Sequence, residues 1–561
     1  MKWKGMMQFD GWLEGYRPYL ILILLVCLFY LPGLKSLPVT DRDEARFAQA
    51  SRQMLETGNF IDIRFQNTPR YKKPIGIYWM QAACAAMAGG PGSNEIWPYR
   101  LPSFLGALFS ILLTFYFARI FFGPKEGFLS AILLGSSLLL NVEARIATTD
   151  AALLASVVLM QGMLGVVYVR LNRKEKVGIW EPMVFWAACG VGILLKGPLP
   201  FVLALLTILS LCIADKNLDL IKGLRPLKGL FLMLALILPW FVAITLASKG
   251  AFLKRAVGSD LLPKLIGGQE SHGAPPGYYL FLFPALFWPA SLAAVWSLWA
   301  SWKARKDYVI RFLLAWILPF WILLEIVPTK LPHYILPVFP AVAILTGGLL
   351  FDKGRWELLR RRKSFKRLKW ISTLVWVFVS IALVIFVLIA PFYFNHGFFA
   401  AELLVILGMC VILVSVLFKQ GGEKPGIILA YSILGCLLVI APAFSKIFPR
   451  LKGPWISRDV ARLVQTLPLP QKPVLVSVDF HEPSLVFLLG TATQLVDIDG
   501  AVEALAEGKA SLALVDHKSA RAFMNMAEKR GVKPIALRSF RGFNYSNGKW
   551  MRLTFYKAGG D

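Results

Sequence analysis

The chain has 561 residues, 57% of them hydrophobic, and a formal net charge of +28. So apolar a composition excludes an ordinary soluble enzyme. The positive charge is divided among separate loops rather than gathered on one surface, which excludes a nucleic-acid footprint.

A bilayer core of about 30 Å needs roughly 20 apolar residues per helix, and the hydropathy pattern gives about thirteen such spans. They centre on 18–34, 99–122, 126–143, 149–169, 182–196, 198–214, 229–247, 278–302, 309–326, 333–350, 370–393, 399–418 and 426–444. The first has few N-terminal charges and no small-residue cleavage site, so it reads as a retained helix. Basic clusters fall in alternate loops: Lys2, Lys4 and Arg17; Arg170, Arg173, Lys174 and Lys176; Lys216, Lys222, Arg225 and Lys228; Lys303, Arg305, Lys306 and Arg311; and the run at 360–363. By the positive-inside rule these loops and the N-terminus are cytoplasmic, and the C-terminus is extracytoplasmic. Membrane lipids are therefore partners and nucleic acid is not. Six cysteines lie in or near apolar segments without metal spacing, as small core residues do.

The fold class that follows is a polytopic α-helical membrane protein with a C-terminal soluble α/β domain. Residues 1–450 form the transmembrane part, with outer-face amphipathic helices in 41–90. Residues 451–561 form the extracytoplasmic domain: strand patterns at 473–478, 494–496, 511–515 and 550–555 alternate with helical ones at 499–508 and 519–531.

Charged residues collect in the loops assigned to the outer face. Asp41-Arg42-Asp43-Glu44 follows the first span and opens an amphipathic segment, 44–56, expected to lie on the membrane surface. Structurally, Thr40 with Asp43 would be a capping box; functionally, Asp43 is a carboxylate at the interface, with Arg46 one turn along. Lys72-Lys73-Pro74 leads into an aromatic stretch suited to headgroup level, where a lysine either snorkels or binds phosphate. Asp150 opens the fourth span as an acidic N-cap or as a functional carboxylate. Lys196-Gly197-Pro198 lies against the topological charge bias, which favours a functional lysine. The loop 251–279 holds Asp260, Lys264, Glu270 and His272; Glu270 and His272 are the metal-ligand alternative, and two ligands two residues apart are weak evidence for a site. Lys330 and Tyr334 offer a cation and a hydroxyl before the tenth span. His481-Glu482 and Asp497-Ile498-Asp499 read as turn residues. The sequence has no Walker loop, dinucleotide fingerprint or hydrolase elbow, so the energy for a reaction has to reside in the substrate.

Asp43-Glu44-x-Arg46-Phe47-Ala48, Lys73-Pro74, Tyr78-Trp79, Arg100-Leu101-Pro102-Ser103, Lys196-Gly197-Pro198 and Lys330-Leu331-Pro332-x-Tyr334, in that order, resemble C-type polyprenyl-phosphate-dependent glycosyltransferases. The similarity is to the lipid A aminoarabinose transferases within the protein-mannosyltransferase-like (glycosyltransferase family 39-like) superfamily. The resemblance implies inverting transfer of a sugar from a polyprenyl phosphate to a lipid A or lipopolysaccharide-like glycolipid, on the periplasmic face of a bacterial inner membrane. It puts Asp43 and Asp150 at catalytic positions. Lys73, Lys264, Lys330 and Tyr334 fall on the donor phosphate, and Arg46 and Lys196 near the acceptor. No cofactor is required; a divalent metal accompanies the resemblance, but its acidic ligand before Lys-Pro is Lys72 here and an expected histidine is Asp260. The alternatives are a protein O-glycosyltransferase using the same donors, and a transporter or flippase of lipid-linked sugars.

Overall fold

The computed structural model describes residues 13–261, 273–352, 354, 356–357, 361–395, 397, 400–418, 424–467 and 473–558. Among them, eight helical segments are long and apolar enough to cross a membrane: Trp97–Phe121, Asp150–Asn172, Pro226–Ala247, Tyr308–Ile326, Pro332–Leu350, Lys363–Phe394, Ala400–Leu417 and Pro425–Arg450. Arg17–Tyr30 and Leu199–Asp215 are apolar but shorter. Other expected spans are interrupted. The stretch 126–143 is divided at Ser137, whose extended backbone (ψ 133°) separates Pro124–Ser136 from Leu138–Glu143. The stretch 278–302 is divided into Tyr278–Leu286 and Ser291–Ala304 around Pro289. Hydropathy registers apolar length but not such breaks.

Two glycines set how closely the helices that carry the site approach one another. A Cβ on Gly106 would stand 2.5 Å from the Ala151 carbonyl oxygen, so Trp97–Phe121 packs backbone-close to the first turn of Asp150–Asn172. A Cβ on Gly76 would stand 2.7 Å from the Leu194 carbonyl oxygen, which brings Gly76–Met87 against the last turn of Trp180–Lys196.

The segment after the first span folds as the helix Asp43–Thr57, the hairpin β1 (Arg64–Phe65) and β2 (Thr68–Pro69), and the helix Gly76–Met87. The C-terminal region builds a five-stranded sheet from β3 (Leu475–Ser477), β4 (Gln494–Leu495), β5 (Leu512–Asp516), β6 (Pro534–Asn544) and β7 (Lys549–Ala558), in the order β4-β3-β5-β7-β6. β3 pairs parallel with β4 and β5, whereas β7 is antiparallel to β5 and β6. One face packs on Ala501, Val502, Phe523 and Ala527, the other on Ile456, Val460, Phe480 and Leu485. The sequence reading passed over β6. Its Arg538, Arg541 and half-exposed pattern follow from its place at the sheet edge, where one strand partner suffices. Asp497 caps the helix Ile498–Ala506 through the Gly500 amide, as a turn residue does.

The helix Asp43–Thr57 corrects an expectation. It is not a surface helix with one face in lipid: Glu44, Ala45 and every residue from Phe47 to Met54 are buried. The helix Pro483–Leu489 of the C-terminal region covers its outer side. Gln49 donates to Thr491 Oγ1 at 2.7 Å, Arg52 donates to the Phe487 carbonyl at 2.9 Å, and the Tyr99 and Phe487 rings meet edge-on at 5.4 Å. Alternation of polar and apolar residues fits a membrane interface and a protein sandwich equally, because Gln and Arg on the polar face can be matched by a polar partner.

Asp41 belongs to the same junction. Its amide donates to Tyr545 Oη at 2.7 Å, its carboxylate accepts from Ser484 Oγ, and Arg42 donates to the Ser546 carbonyl at 2.7 Å. Burial, with the nearby Glu482 carboxylate adding to it, pushes the Asp41 carboxyl up from 3.8 to about 7. A carboxyl raised on folding stabilises the folded state fully below its unfolded value, and that contribution is lost as pH rises through the folded value. The expected result is a melting temperature in detergent with a component that declines from about pH 4 to about pH 7 and levels off above, with a flatter decline in Asp41→Asn. Parallel curves for the two proteins would contradict this role.

Candidate active site

Glu44, rather than Asp43, answers Thr40. Its carboxylate accepts from the Thr40 amide at 2.7 Å and hydroxyl at 2.8 Å, from Arg100 Nε at 2.7 Å and from the Ala147 amide at 2.9 Å. Arg100, wholly buried, also donates to the carbonyls of Leu34, Leu37 and Pro38. The capping-box expectation for Asp43 therefore fails, and its side chain is left 64% exposed at the helix start. It faces Arg70, Oδ1 to Nη2 at 3.6 Å.

Asp150 is the first residue of its helix, yet its side chain is not spent on capping. It accepts from Lys196 Nζ, and both side chains are less than a tenth exposed. Thr149 Oγ1 donates to its other oxygen at 3.2 Å, and His333 Nε2 stands 3.9 Å from that oxygen. The opposite ring nitrogen, Nδ1, is 3.9 Å from Glu143, which accepts from Thr148 Oγ1 at 3.0 Å. Lys196 Nζ also lies 5.0 Å over the Tyr334 ring, and the His333 ring meets Tyr334 edge-on at 4.9 Å. The charges of Lys73 and Asp43 both act on His333, and that of Lys73 also on Asp150.

The structure thus gathers Asp150, Lys196, His333 and Tyr334 in one cluster, with Asp43 and Lys73 near enough to act on His333 by charge. Arg46 is half-buried on the Asp43 helix. Lys330 is placed differently from the expectation: its buried ammonium donates to the carbonyls of Ala274 at 2.9 Å and Val327 at 2.6 Å. It ties the end of the long loop down, beside the Gly273–Thr329 bridge. Lys264, Glu270, His272 and the side chain of Asp260 lie outside the described residues. Sequence reasoning missed Glu143, His333 and Arg70, quoted Arg100 only as part of a motif, and missed the use made of Glu44. Glu143 had a legible signal, a carboxylate at the end of an apolar run.

Donor chemistry tests the metal. Lys72, where the resemblance places an acidic ligand, is an exposed ammonium and cannot coordinate a cation. Among the described residues no group of three His, Cys, Asp or Glu side chains could hold a metal ion. Among the described residues, then, none fit the metal, and Glu270 and His272 lie outside them.

Residues 72–242 match the family described as dolichyl-phosphate-mannose-protein mannosyltransferase. Over 345 residues the chain is 28% identical to an undecaprenyl phosphate-α-4-amino-4-deoxy-L-arabinose arabinosyl transferase of Pseudomonas fluorescens, a match covering 60% of this chain and 61% of that protein. The chain thus spans about three fifths of the length of the curated relatives it matches. Its fold is shared with ArnT from Cupriavidus metallidurans bound to undecaprenyl phosphate, with a TM-score of 0.73 at 18% identity over 96% of this chain and 98% of that one. The apo oligosaccharyltransferase of Archaeoglobus fulgidus matches more loosely, with a TM-score of 0.53 at 10% identity over 98% of this chain and 75% of that one. The resemblance read from the motifs is borne out.

Proposed function

We propose, on the premise that residues 72–242 carry a domain of the dolichyl-phosphate-mannose-protein mannosyltransferase family, that this protein is a glycosyltransferase using a polyprenyl-phosphate-linked sugar. The acceptor is an envelope glycolipid of the lipid A type, reached on the periplasmic face of the bacterial inner membrane. The observation that carries the reading is the convergence of an exposed carboxylate, Asp43, with Lys73 and the buried Asp150–Lys196 pair. On this reading the eight long helices, the two interrupted spans and the shorter helices Arg17–Tyr30, Trp180–Lys196 and Leu199–Asp215 all cross, which makes thirteen spans and would put these residues on the face opposite the basic loops.

The chemistry is a single displacement. An acceptor oxygen attacks the anomeric carbon from the side opposite the polyprenyl phosphate. The bond to the phosphate oxygen breaks, and the phosphate leaves with the electron pair, so the configuration inverts. Lys73 and Tyr334 supply a cation and a hydroxyl to the departing phosphate, whose charge is poorly stabilised by the low-dielectric interface itself. Asp43 takes the proton when the acceptor is a hydroxyl, and orients the acceptor when it is already a phosphate. Lys196, neutralised by Asp150 and stacked on Tyr334, orders the wall between donor and acceptor.

Transport of intact lipid-linked sugar is the weaker reading, because the charges gather at helix ends around one centre rather than along a path through the spans. Mass analysis of envelope lipids and envelope proteins, with and without the gene, tests the proposal. A sugar lost from a glycolipid and restored by the wild type supports it. A sugar lost only from protein would move the acceptor to protein, and no loss from either would overturn it. Restoration by Lys73→Ala should be weak and improve when donor synthesis is raised.

A further inference from the structure

We infer that Arg70 is a positioning residue for Asp43, an inference that rests on the glycosyl-transfer reading above. Arg70 follows β2, and its amide donates to the Ile63 carbonyl at 2.8 Å, so the hairpin fixes its backbone. Its side chain is only 8% exposed. The guanidinium carbon lies 5.0 Å over the ring of Phe47, four residues beyond Asp43 on the same helix. One nitrogen, Nη2, faces the Asp43 carboxylate at 3.6 Å. Nε is buried and, among the described residues, has no hydrogen-bond partner, and the guanidinium lies beside the buried Tyr78 hydroxyl, on which it acts by charge and hydrogen bonding.

The contrast with Arg100 and Arg145 gives this arrangement its meaning. Those two guanidiniums are wholly buried and hydrogen-bonded to backbone carbonyls, as structural arginines are. Among the described residues Arg70 makes no such bonds to carbonyls. A buried charge is costly unless it is paired, and what Arg70 has there is the face of Phe47, the Tyr78 hydroxyl beside it and the Asp43 carboxylate at the mouth of the site. The face of Phe47 helps hold the guanidinium beside the start of the helix. A guanidinium held there gives an exposed carboxylate, otherwise free to rotate, a fixed charge toward which it is drawn. Arg70 therefore sets the direction of Asp43 without touching the substrate.

The test is steady-state kinetics of the full chain in vesicles with a polyprenyl-phosphate sugar and a glycolipid acceptor, for Arg70→Gln and Arg70→Lys in wild-type and Asp43→Asn backgrounds. Misplacing a catalytic group by about 1 Å can cost about 100-fold, so Arg70→Gln should lower kcat by about 10- to 100-fold, with donor KM within about threefold. Arg70→Lys keeps the charge but not the planar fork and should recover part of the loss, remaining at least about fivefold below wild type. In the Asp43→Asn background, Arg70→Gln should add nothing further. A kcat unchanged in Arg70→Gln would overturn the inference, as would losses that multiply with Asp43→Asn. A raised KM with intact kcat would make Arg70 a substrate-binding group instead and also overturn it. If Arg70→Gln does not fold, Arg70→Lys decides, and wild-type kcat in that variant overturns the inference. Absence of transfer by the wild type itself would count against the functional reading, not against Arg70.

Discussion

Asp43→Asn should give a folded protein that binds donor as the wild type does and transfers sugar at least about 100-fold more slowly, the scale on which a general base contributes. The separation of folding from turnover follows from how the first turn of the Asp43–Thr57 helix is divided. Glu44 takes the Thr40 amide, the Arg100 guanidinium and the Ala147 amide, while Asp43 is 64% exposed. Removing the charge of Asp43 leaves that anchoring intact. The measurements are single-turnover transfer, donor binding and thermal melting on the same preparation. Near-normal transfer by a well-folded variant would remove Asp43 from the mechanism.

Arg100→Leu should do the opposite and damage the fold before the chemistry. Truncation strands Glu44 as a buried, unpaired carboxylate and releases the carbonyls of Leu34, Leu37 and Pro38. Breaking a buried ion pair from one side costs about 3–5 kcal/mol, a large share of the stability of most proteins. Expected results are low yield, a melting temperature lowered by several degrees and loss of transfer even in the fraction that survives, because the Asp43 helix is no longer held to the first span. Replacing both partners, Glu44→Leu with Arg100→Leu, should restore part of the stability without restoring transfer. A single variant as stable as the wild type would show that the pair contributes nothing to anchoring.

These two neighbours illustrate what the sequence made legible. Asp43, Lys73, Asp150 and Lys196 stood out because charges beside apolar spans are expensive and each sat on the side poor in Lys and Arg. Their convergence could be read from topology alone. The local competition between Asp43 and Glu44 could not, since both are acidic and the choice depends on Arg100, fifty-six residues later. His333 was hidden for a similar reason: a single histidine between Pro332 and Tyr334 carries no pattern, and its place between Glu143 and Asp150 exists only after three helices meet. The carbonyl contacts of Lys330 were not legible, because a lysine near a lipid interface and a lysine tying carbonyls together look alike in sequence. The burial of the Asp43–Thr57 helix under Pro483–Leu489 joins segments more than four hundred residues apart, and an amphipathic pattern does not say which partner covers it.

The same junction gives the C-terminal sheet region a task. Through Ser484, Phe487, Thr491, Tyr545 and Ser546 it grips the residues on both sides of Asp43. A carboxylate with the role proposed for Asp43 gains precision from a rigid cover.

The most direct test is the product of the purified protein in vesicles, supplied with a polyprenyl-phosphate sugar and a lipid A-type acceptor, with the new linkage read by mass spectrometry and its configuration by NMR. The expected result is a glycosylated acceptor with inverted anomeric configuration and release of polyprenyl phosphate, absent with Asp43→Asn. Movement of the intact lipid-linked sugar across the vesicle membrane, with no new glycosidic bond, would contradict it.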